Sequence, residues 1–316
     1  AVTIAGNAVE DQVLTANNNI TDEDGMPNAN TFAYQWKRIS GGNPTNIGAN
    51  ASTYTLTQSE VGSTITVTIG YTDAFAGANQ SVTSVATGAV ANVNDAPTGA
   101  VTIAGTATED QTLTASNTLA DEDGLGNITY QWNRTSGGTT TNINGATAAT
   151  HTLTQADVGS AITVTASYTD GQSTAESVTS AATAAVANVN DAPVLAITGT
   201  ATEDQTLTVV VTDEDGLGTI SYQWNRGGAA ITGATASTYT LTQDDVGSAI
   251  TVMASYIDGE GTAESVTSEP TAEADNVNDS PVAVSDSFTV AEGGTATSLA
   301  DNQSSVLAND TDVEGD

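Results

Sequence analysis

A hexapeptide that recurs three times divides this sequence into segments of nearly equal length. It reads Asn-Val-Asn-Asp-Ala-Pro at 92–97 and 188–193, and Asn-Val-Asn-Asp-Ser-Pro at 276–281. Proline fixes φ and lacks a backbone donor, so a Pro shortly after Asn-Asp marks a joint where a strand ends. Successive copies start 96 and then 88 residues apart, which is about the length of one β-sandwich domain.

The composition limits the partners of this chain. Its 316 residues include 38 acidic and 4 basic side chains, for a formal net charge of −34. Nucleic acid and anionic membrane surfaces would be repelled, whereas cations are attracted. Solubility in a salty medium is an alternative reason for the acidity. The chain has no Cys, which excludes disulfides, thiolate metal sites and Cys nucleophiles.

Neither a membrane helix nor a targeting segment is expected. No apolar run approaches the roughly 18 residues that a membrane helix needs, so we expect no membrane insertion. No signal peptide opens the chain. These features are typical of a mature segment or of a fragment of a longer protein.

Three segments of the sequence align along their whole length: 3–97, 102–193 and 197–281. Each contains Glu-Asp-Gln, Asp-Glu-Asp-Gly, Tyr-Gln-Trp and Thr-Leu-Thr-Gln in the same order, and an acidic residue, Val and Gly follow the last motif. Self-similarity of this kind indicates one structural unit repeated along the chain.

The repeats are predicted to be almost entirely β-structure. Thr and Val alternate in short runs divided by Gly, Asn and Asp, and no segment keeps a helical period. In the second repeat we expect strands near 101–105, 111–116, 128–134, 150–154, 161–169 and 175–189. The run at 161–169 places apolar side chains on one face and Thr or Ser on the other, as in a sheet with one solvated side.

A single Trp lies in the middle of the third strand of each repeat, at positions 36, 132 and 224. This matches the buried Trp of immunoglobulin-like sandwiches, so we expect all three to be buried. The Cys pair of antibody domains is replaced by small or apolar residues: Ile69, Ala166 and Ala254. The predicted fold class is all-β, with tandem immunoglobulin-like β-sandwich repeats joined by short linkers.

All four basic residues lie just after the Trp. Arg134 and Arg226 share the strand face of their Trp because side chains alternate along a strand. We expect an ion pair between Arg134 and Asp157 and another between Arg226 and Asp245. The corresponding pair in the first repeat is Arg38 with Glu60, and Lys37 is adjacent.

The segment 282–316 differs from the repeats and is too short for an independent core. It has two strand-like runs and an acidic turn, as expected for the opening of a fourth domain. The predicted domains are therefore 1–95, 96–191 and 192–279 for the three repeats, and 280–316 for the incomplete fourth.

The three repeats resemble the immunoglobulin-like extender repeats of very long bacterial surface adhesins of the RTX, type I-secreted kind. The tail motif Ala-Asn-Asp-Thr-Asp at 308–312 is similar to a bacterial cadherin-like repeat, and the joint at 190–193 is similar to the cadherin linker. The resemblance implies an extracellular location at a bacterial cell surface and a role in adhesion.

Acidic motifs far apart in the sequence are predicted to meet at each joint. In an immunoglobulin-like domain the AB and EF turns lie at the end where the chain leaves, and the BC and FG turns at the end where it enters. The Glu-Asp pair of one repeat, the joint Asp, and the Asp-x-Asp of the next repeat therefore converge. Asn190 and Asp258 are further candidates at the second joint.

Such a cluster of carboxylates needs a cation, and an oxygen-only ligand set suits Ca²⁺. Zinc or copper would require His or Cys. Taken alone, each motif is an ordinary solvated turn. The predicted calcium ligands are Glu10, Asp11, Asp95, Asp121 and Asp123 at the first joint, Glu109, Asp110, Asp191, Asp213 and Asp215 at the second, and Glu203, Asp204, Asp279, Asp310 and Asp312 at the third.

No enzymatic activity is expected. His151 is the single His and occupies the position that Tyr54 and Tyr239 have in the other repeats, so it is interpreted as an aromatic core position. Without Cys or a second His, no catalytic triad can be assembled.

The sequence is most consistent with a calcium-stiffened spacer that projects a distal binding tip of an adhesin, for attachment or biofilm formation. Its partners are then calcium ions and the neighbouring repeats of the same chain. Two alternatives remain. The chain could be the subunit of an extracellular filament, sheath or surface layer that self-assembles through the incomplete repeat. It could also be a ligand-binding module of an adhesin.

Overall fold

The computed structural model describes residues 1–23, 32–72, 79–287, 290, 292–294, 305 and 310–312. The chain divides into two compact units, Ala1–Ala187 and Asn188–Asp316. The first unit contains two β-sandwiches and the second contains one. Within the described ranges there is no α-helix, and hence no helix long and apolar enough to cross a membrane.

Each sandwich combines a three-stranded and a four-stranded antiparallel sheet. The first sandwich consists of β1 (Val2–Ala5), β2 (Val13–Asn18), β3 (Ala33–Ser40), β4 (Asn43–Ile47), β5 (Thr53–Thr55), β6 (Thr64–Thr72) and β7 (Asn79–Thr83). Its sheets have the orders β1-β2-β5 and β4-β3-β6-β7.

The second and third sandwiches repeat this topology. The second consists of β8 (Val101–Ala104), β9 (Thr112–Asn117), β10 (Thr129–Ser136), β11 (Thr139–Asn142), β12 (Thr150–Thr152), β13 (Ala161–Thr169) and β14 (Ala175–Thr179). The third consists of β15 (Val194–Thr198), β16 (Thr206–Thr212), β17 (Ser221–Arg226), β18 (Ala229–Ala230), β19 (Thr238–Thr240), β20 (Ile250–Ile257) and β21 (Ala263–Thr267). The predicted all-β, immunoglobulin-like fold class is confirmed.

The core of each sandwich is organised around its Trp, as the alternating pattern predicted. Trp36, Trp132 and Trp224 are each 0% exposed. Each indole N–H donates to a backbone carbonyl at 2.9 Å, so the one polar atom of the ring is satisfied inside the core. The predicted burial of all three is confirmed.

The last strand is shorter than the sequence predicted. In the second sandwich β14 ends at Thr179, although a strand was expected near 175–189. Beyond it, side-chain hydroxyls replace backbone acceptors of the ladder: the N–H of Val164 donates to Ser180 Oγ and that of Ile162 to Thr183 Oγ1. The ladder is thus continued by Ser and Thr side chains, which alternation alone does not reveal. The sequence also did not predict β4, β11 and β18.

A buried ion pair ties the four-stranded sheet to the short 3₁₀ turn that precedes its central strand. Nε and Nη2 of Arg134 both lie 2.8 Å from Asp157 Oδ1, and Asp157 is 0% exposed. Arg226 Nε donates to Asp245 Oδ1 at 2.7 Å in the third sandwich. Arg38 Nη1 lies 3.7 Å from a Glu60 oxygen in the first. The three predicted pairs are confirmed.

The pair of Arg226 with Asp245 gives the stability of the third sandwich a pH dependence. Burial alone would raise the pKa of Asp245, but hydrogen bonds from Arg226, the Thr242 backbone and the Tyr239 hydroxyl hold it below its usual value. A carboxyl whose pKa is lowered on folding stabilises the fold at pH values above its pKa in the unfolded chain. That stability is lost as the pH falls through its pKa in the folded protein. The third sandwich therefore keeps this contribution at neutral pH and loses it in strong acid.

His151 occupies the tyrosine position of the second sandwich. Its ring centroid lies 5.8 Å from that of Trp132, and Nε2 lies 3.1 Å from Asp157 Oδ2. At the matching position the Tyr239 ring centroid lies 5.6 Å from that of Trp224, and the Tyr239 hydroxyl donates to the buried Asp245 carboxylate at 2.8 Å. The structure thus places His151 in the core, packed on Trp132.

We expect His151→Tyr to stabilise the second sandwich by about 0.5–1.5 kcal/mol, because a larger ring then packs on Trp132 and a hydroxyl donates to Asp157. Denaturant unfolding of the variant and of wild type measures this change. Tyr239→His is the matched exchange in the third sandwich and should be destabilising. A less stable His151→Tyr protein would contradict the equivalence of the two positions.

The predicted fourth domain falls mostly outside the described residues. Within them, Val282 forms an antiparallel bridge with Thr311, and the Val284 N–H donates to Asp310 Oδ1 at 2.8 Å. The expectation that 280–316 is an incomplete cadherin-like repeat therefore stays a prediction. The boundaries after 95, 191 and 279 also remain predictions.

Candidate metal centre

A buried glutamate lies at the trailing end of each sandwich, where the chain leaves it. Glu10 is 1% exposed, Glu109 2% and Glu203 3%. The backbone holds this segment beside the start of the linker, since the Glu10 N–H donates to the Ala91 carbonyl at 2.9 Å. The Val93 N–H in turn donates to Glu10 Oε2 at 3.2 Å. The AB turn is therefore fastened to the linker, as the topology predicted.

The aspartate after each of these glutamates has a different position. Asp11, Asp110 and Asp204 are exposed and adopt the left-handed conformation, with φ values of 62°, 62° and 63°. Asp tolerates this conformation better than most residues with a Cβ, so the tight turn is itself a reason for the residue type. Whether they bind a metal stays a prediction.

The Asp-x-Asp motif forms a turn at the leading end of a sandwich, where the chain enters it. In the second sandwich the Asp123 N–H donates to Asp121 Oδ1 at 2.9 Å, and the Tyr168 hydroxyl donates to Asp121 Oδ2 at 2.5 Å. Tyr256 and Asp213 make the same contact in the third sandwich. Both oxygens of the first Asp thus shape the turn, and this orients the second Asp.

Three carboxylates meet at the first joint. Glu10 comes from the first sandwich, Asp95 from the linker and Asp123 from the second sandwich, with one oxygen of each within 4.8 Å of the others. Asp123 is only 4% exposed, and its Oδ2 accepts from the Asp95 N–H at 2.8 Å. Asp121 contributes to the turn but is not part of this group among the described residues.

The electrostatics of this group are unfavourable without a cation. Desolvation raises the pKa of Glu10 and of Asp95, and the neighbouring carboxylates, Asp123 foremost for Asp95, raise it further. Like charges at this distance disfavour the ionised form of each carboxyl. A divalent cation removes that penalty, and all donors in the group are oxygens, as Ca²⁺ prefers.

Three further buried oxygens, two of amides and one of a carboxylate, lie at the same joint and are not apparent from the sequence. Gln58 donates from Nε2 to Asp123 Oδ1 at 3.0 Å, which leaves its Oε1 buried without a hydrogen-bond partner in the described structure. Asn92 Oδ1 and Asp170 Oδ2 are likewise buried and unpartnered among those residues. Buried acceptors without a donor are rare, and a cation satisfies them. The residues at this joint therefore fit a calcium ion.

The matching Glu, Gln and Asn at the trailing end of the third sandwich contact one another. With its amide nitrogen facing them, Gln243 donates to the two carboxylate oxygens of Glu203, at 2.9 and 3.0 Å, and to Asn276 Oδ1 at 3.1 Å. Gln155 and Asn188 also each bury an amide oxygen that has no hydrogen-bond partner in the described structure.

The predicted ligands of the second joint belong to both units. Glu109 and Asp110 lie in the first unit and the other three in the second. Within the second unit the Asp191 N–H donates to Asp215 Oδ2 at 2.7 Å, and the Asp215 N–H donates to Asp213 Oδ1 at 2.9 Å. The linker and the turn are thus joined as at the first joint.

The further candidates at this joint also lie in the second unit. Asn190 Nδ2 donates to Glu264 Oε1 at 2.8 Å. Asp258 is 6% exposed, and its Oδ2 has no hydrogen-bond partner among the described residues. Asp258 therefore matches Asp170 in presenting a buried acceptor, whereas Asn190 ties the linker to the last strand.

At the third joint the predicted ligands are not brought into one group. Asp279, Asp310 and Asp312 are half-buried, and among the described residues they form no group of three carboxylates with Glu203. Asp310 instead accepts from the Val284 backbone. Metal binding by these residues stays a prediction.

The chain is weakly similar to several solved structures. No family model and no curated protein sequence matches the chain. A tetra-tandem repeat in the extending region of a large adhesion protein is 19% identical, over 85% of this chain and 74% of that chain, with a TM-score of 0.29. A Ca²⁺-stabilized adhesin that helps an Antarctic bacterium reach out and bind ice is 14% identical, over 86% and 73%, with a TM-score of 0.26. The FN1–FN3 domains of chicken CNTN1 are 12% identical, over 85% and 95%, with a TM-score of 0.25. At such TM-scores these matches carry no argument.

Proposed function

We propose that this chain is a spacer of a bacterial surface adhesin, in which calcium bound at the joints aligns consecutive β-sandwiches. One observation carries the mechanical part of the proposal. Glu10, Asp95 and Asp123 come from one sandwich, the linker and the next sandwich, and their oxygens lie within 4.8 Å of one another. The adhesin part depends on the motifs that resemble extender and cadherin-like repeats.

A cation at such a place cross-links two sandwiches. Glu10 fixes the preceding sandwich and Asp123 the following one, while Asp95 spans the short linker between them. When the cation binds, it stabilises the docked arrangement by RT ln(1 + [L]/Kd), about 2.7 kcal/mol at a hundredfold excess over Kd. Without it the three carboxylates repel and the linker is free to bend.

The repetition of the chain favours a mechanical role over a specific recognition site. The same glutamate, glutamine and asparagine recur at the trailing end of each sandwich, and the same Asp-x-Asp turn recurs at the leading ends of the second and third. A binding tip would require one repeat to differ in its loops. Repeated joint motifs instead provide a regular spacing, roughly 35–45 Å per sandwich for strands of this size.

The test is small-angle X-ray scattering of the full chain in calcium and then in EGTA, with titration calorimetry on the same sample. We expect calcium to increase the maximum dimension and to release or absorb heat, while circular dichroism shows folded sandwiches in both buffers. Magnesium at the same concentration is the control, because it prefers fewer protein ligands and more water. An unchanged maximum dimension without calcium heat would refute the proposal.

A further inference from the structure

The four basic residues of the chain all lie on central strands, which have a neighbouring strand on both sides. Lys37 and Arg38 are in β3, Arg134 is in β10 and Arg226 is in β17. In the sheet orders β4-β3-β6-β7, β11-β10-β13-β14 and β18-β17-β20-β21, each of these strands has a neighbour on both sides. The chain therefore presents no Lys or Arg in a linker, in a joint or on an edge strand.

The peptide bonds that follow these residues are held in the ladder as well. Ile39, next to Arg38, pairs with Pro44 on one side and Thr64 on the other. The N–H of Gly227, next to Arg226, donates to the Ala249 carbonyl at 3.1 Å. A protease binds its substrate as an extended, unpaired segment, so these bonds become cleavable only after the sandwich opens.

The arginine side chains are also held by ion pairs. They are 27–30% exposed, and each lies within 4.0 Å of a carboxylate oxygen on the adjoining 3₁₀ turn. Because Asp157 and Asp245 are fully buried, extracting the Arg would leave an unpaired charge inside the protein. Binding of the Arg side chain in the specificity pocket of a protease would therefore require the free energy of leaving that buried charge unpaired.

We propose that this placement makes the chain resistant to proteases that cleave after Lys or Arg whenever its sandwiches are folded, whether or not a cation is bound. The joints, by contrast, are rich in Asp and Asn, and they offer sites to proteases that select acidic side chains. The inference is independent of the calcium proposal, because it depends on where basic residues lie and not on what the joints bind.

The test is brief trypsin digestion of the full chain in EGTA, with trypsin activity normalised on a peptide substrate. Wild type is compared with Val93→Lys, which places a basic residue before Asn94 at an exposed position of the first joint, and with Val93→Gln as the uncharged control. We expect Val93→Lys to be cut at the joint at least about a hundredfold faster than wild type and Val93→Gln, because joint opening requires no unfolding. A protease specific for Asp, for which Asp95 is a site in the same joint, should cut all three proteins.

Two outcomes would overturn the inference. One is cleavage of wild type after Arg134 or Arg226 at a rate comparable with that of Val93→Lys at the joint. The other is a Val93→Lys protein as resistant as wild type, since the resistance would then not come from the placement of basic residues. Repeating the digestion in calcium separates this result from the stiffening of the joint, which should slow cleavage of Val93→Lys alone.

Discussion

Replacing Asp123 by Asn should weaken the proposed calcium binding at the first joint while both flanking sandwiches stay folded. Asp123 is 4% exposed and is oriented by its own turn, so its carboxylate is the fixed part of the group. The change removes one negative charge and allows an N–H group to face Gln58 and the Asp95 backbone, which are both donors to Asp123 at present. We expect the calcium affinity of this joint to fall at least about tenfold.

The absence of Cys allows this joint to be measured by itself. Spin labels on cysteines introduced at Ser81 and Ser177, exposed positions on β7 and β14, report the distance between the two sandwiches. In calcium the distribution should be narrow for the parent protein and broad for Asp123→Asn. Glu122→Gln is the matched control, because Glu122 is exposed in the same turn and its substitution removes the same charge. Equal broadening by Glu122→Gln would show that charge alone aligns the joint. A narrow distribution for Asp123→Asn would show that another element aligns it.

The fold could be predicted from sequence because its determinants are local and repeated. A Trp in the middle of an alternating run has one stable environment, a core between two sheets, and Trp132 lies there. Arg134 shares its strand face and has few carboxylates within reach at that end of the sandwich, so its pairing with Asp157 followed. The recurring hexapeptide lies outside the strands in all three copies, as its sequence indicated, whereas the domain boundaries drawn from it remain predictions.

The composition of the candidate site was less predictable because one residue type serves two purposes. Asp11 and Asp95 both read as ligands, yet Asp11 lies exposed in a left-handed turn that itself favours Asp, and only Asp95 joins the three-carboxylate group. Gln58 reads as an ordinary residue of a short turn, and only the fold shows that its amide reaches Asp123. Its recurrence in every repeat, two positions before the acidic residue of the acidic-Val-Gly turn, was the available signal.

Replacing Arg134 by Met should destabilise the second sandwich by about 3–5 kcal/mol, the cost of leaving a buried carboxylate without its cation. Asp157 is 0% exposed, and its Oδ1 accepts from Arg134 at 2.8 Å. After the substitution its donors are His151 and the backbone and hydroxyl of Thr154, which contact the other oxygen. Met fills much of the arginine volume, so lost packing contributes little.

The double variant Arg134→Met/Asp157→Asn separates charge from packing. Because it removes the buried charge and keeps the shape of the side chain, it should recover a large part of the stability that Arg134→Met loses. Hydrogen exchange of the amides in β10 and β13 localises the effect to the second sandwich, and Arg226→Met should produce the equivalent loss in β17 and β20. If the double variant is no more stable than Arg134→Met, the arginine acts by packing along the sheet. If Arg134→Met is as stable as wild type, the recurrence of a basic residue at this position in each repeat has a reason other than folding. Resistance to Lys- and Arg-specific proteases then becomes the stronger explanation for that recurrence.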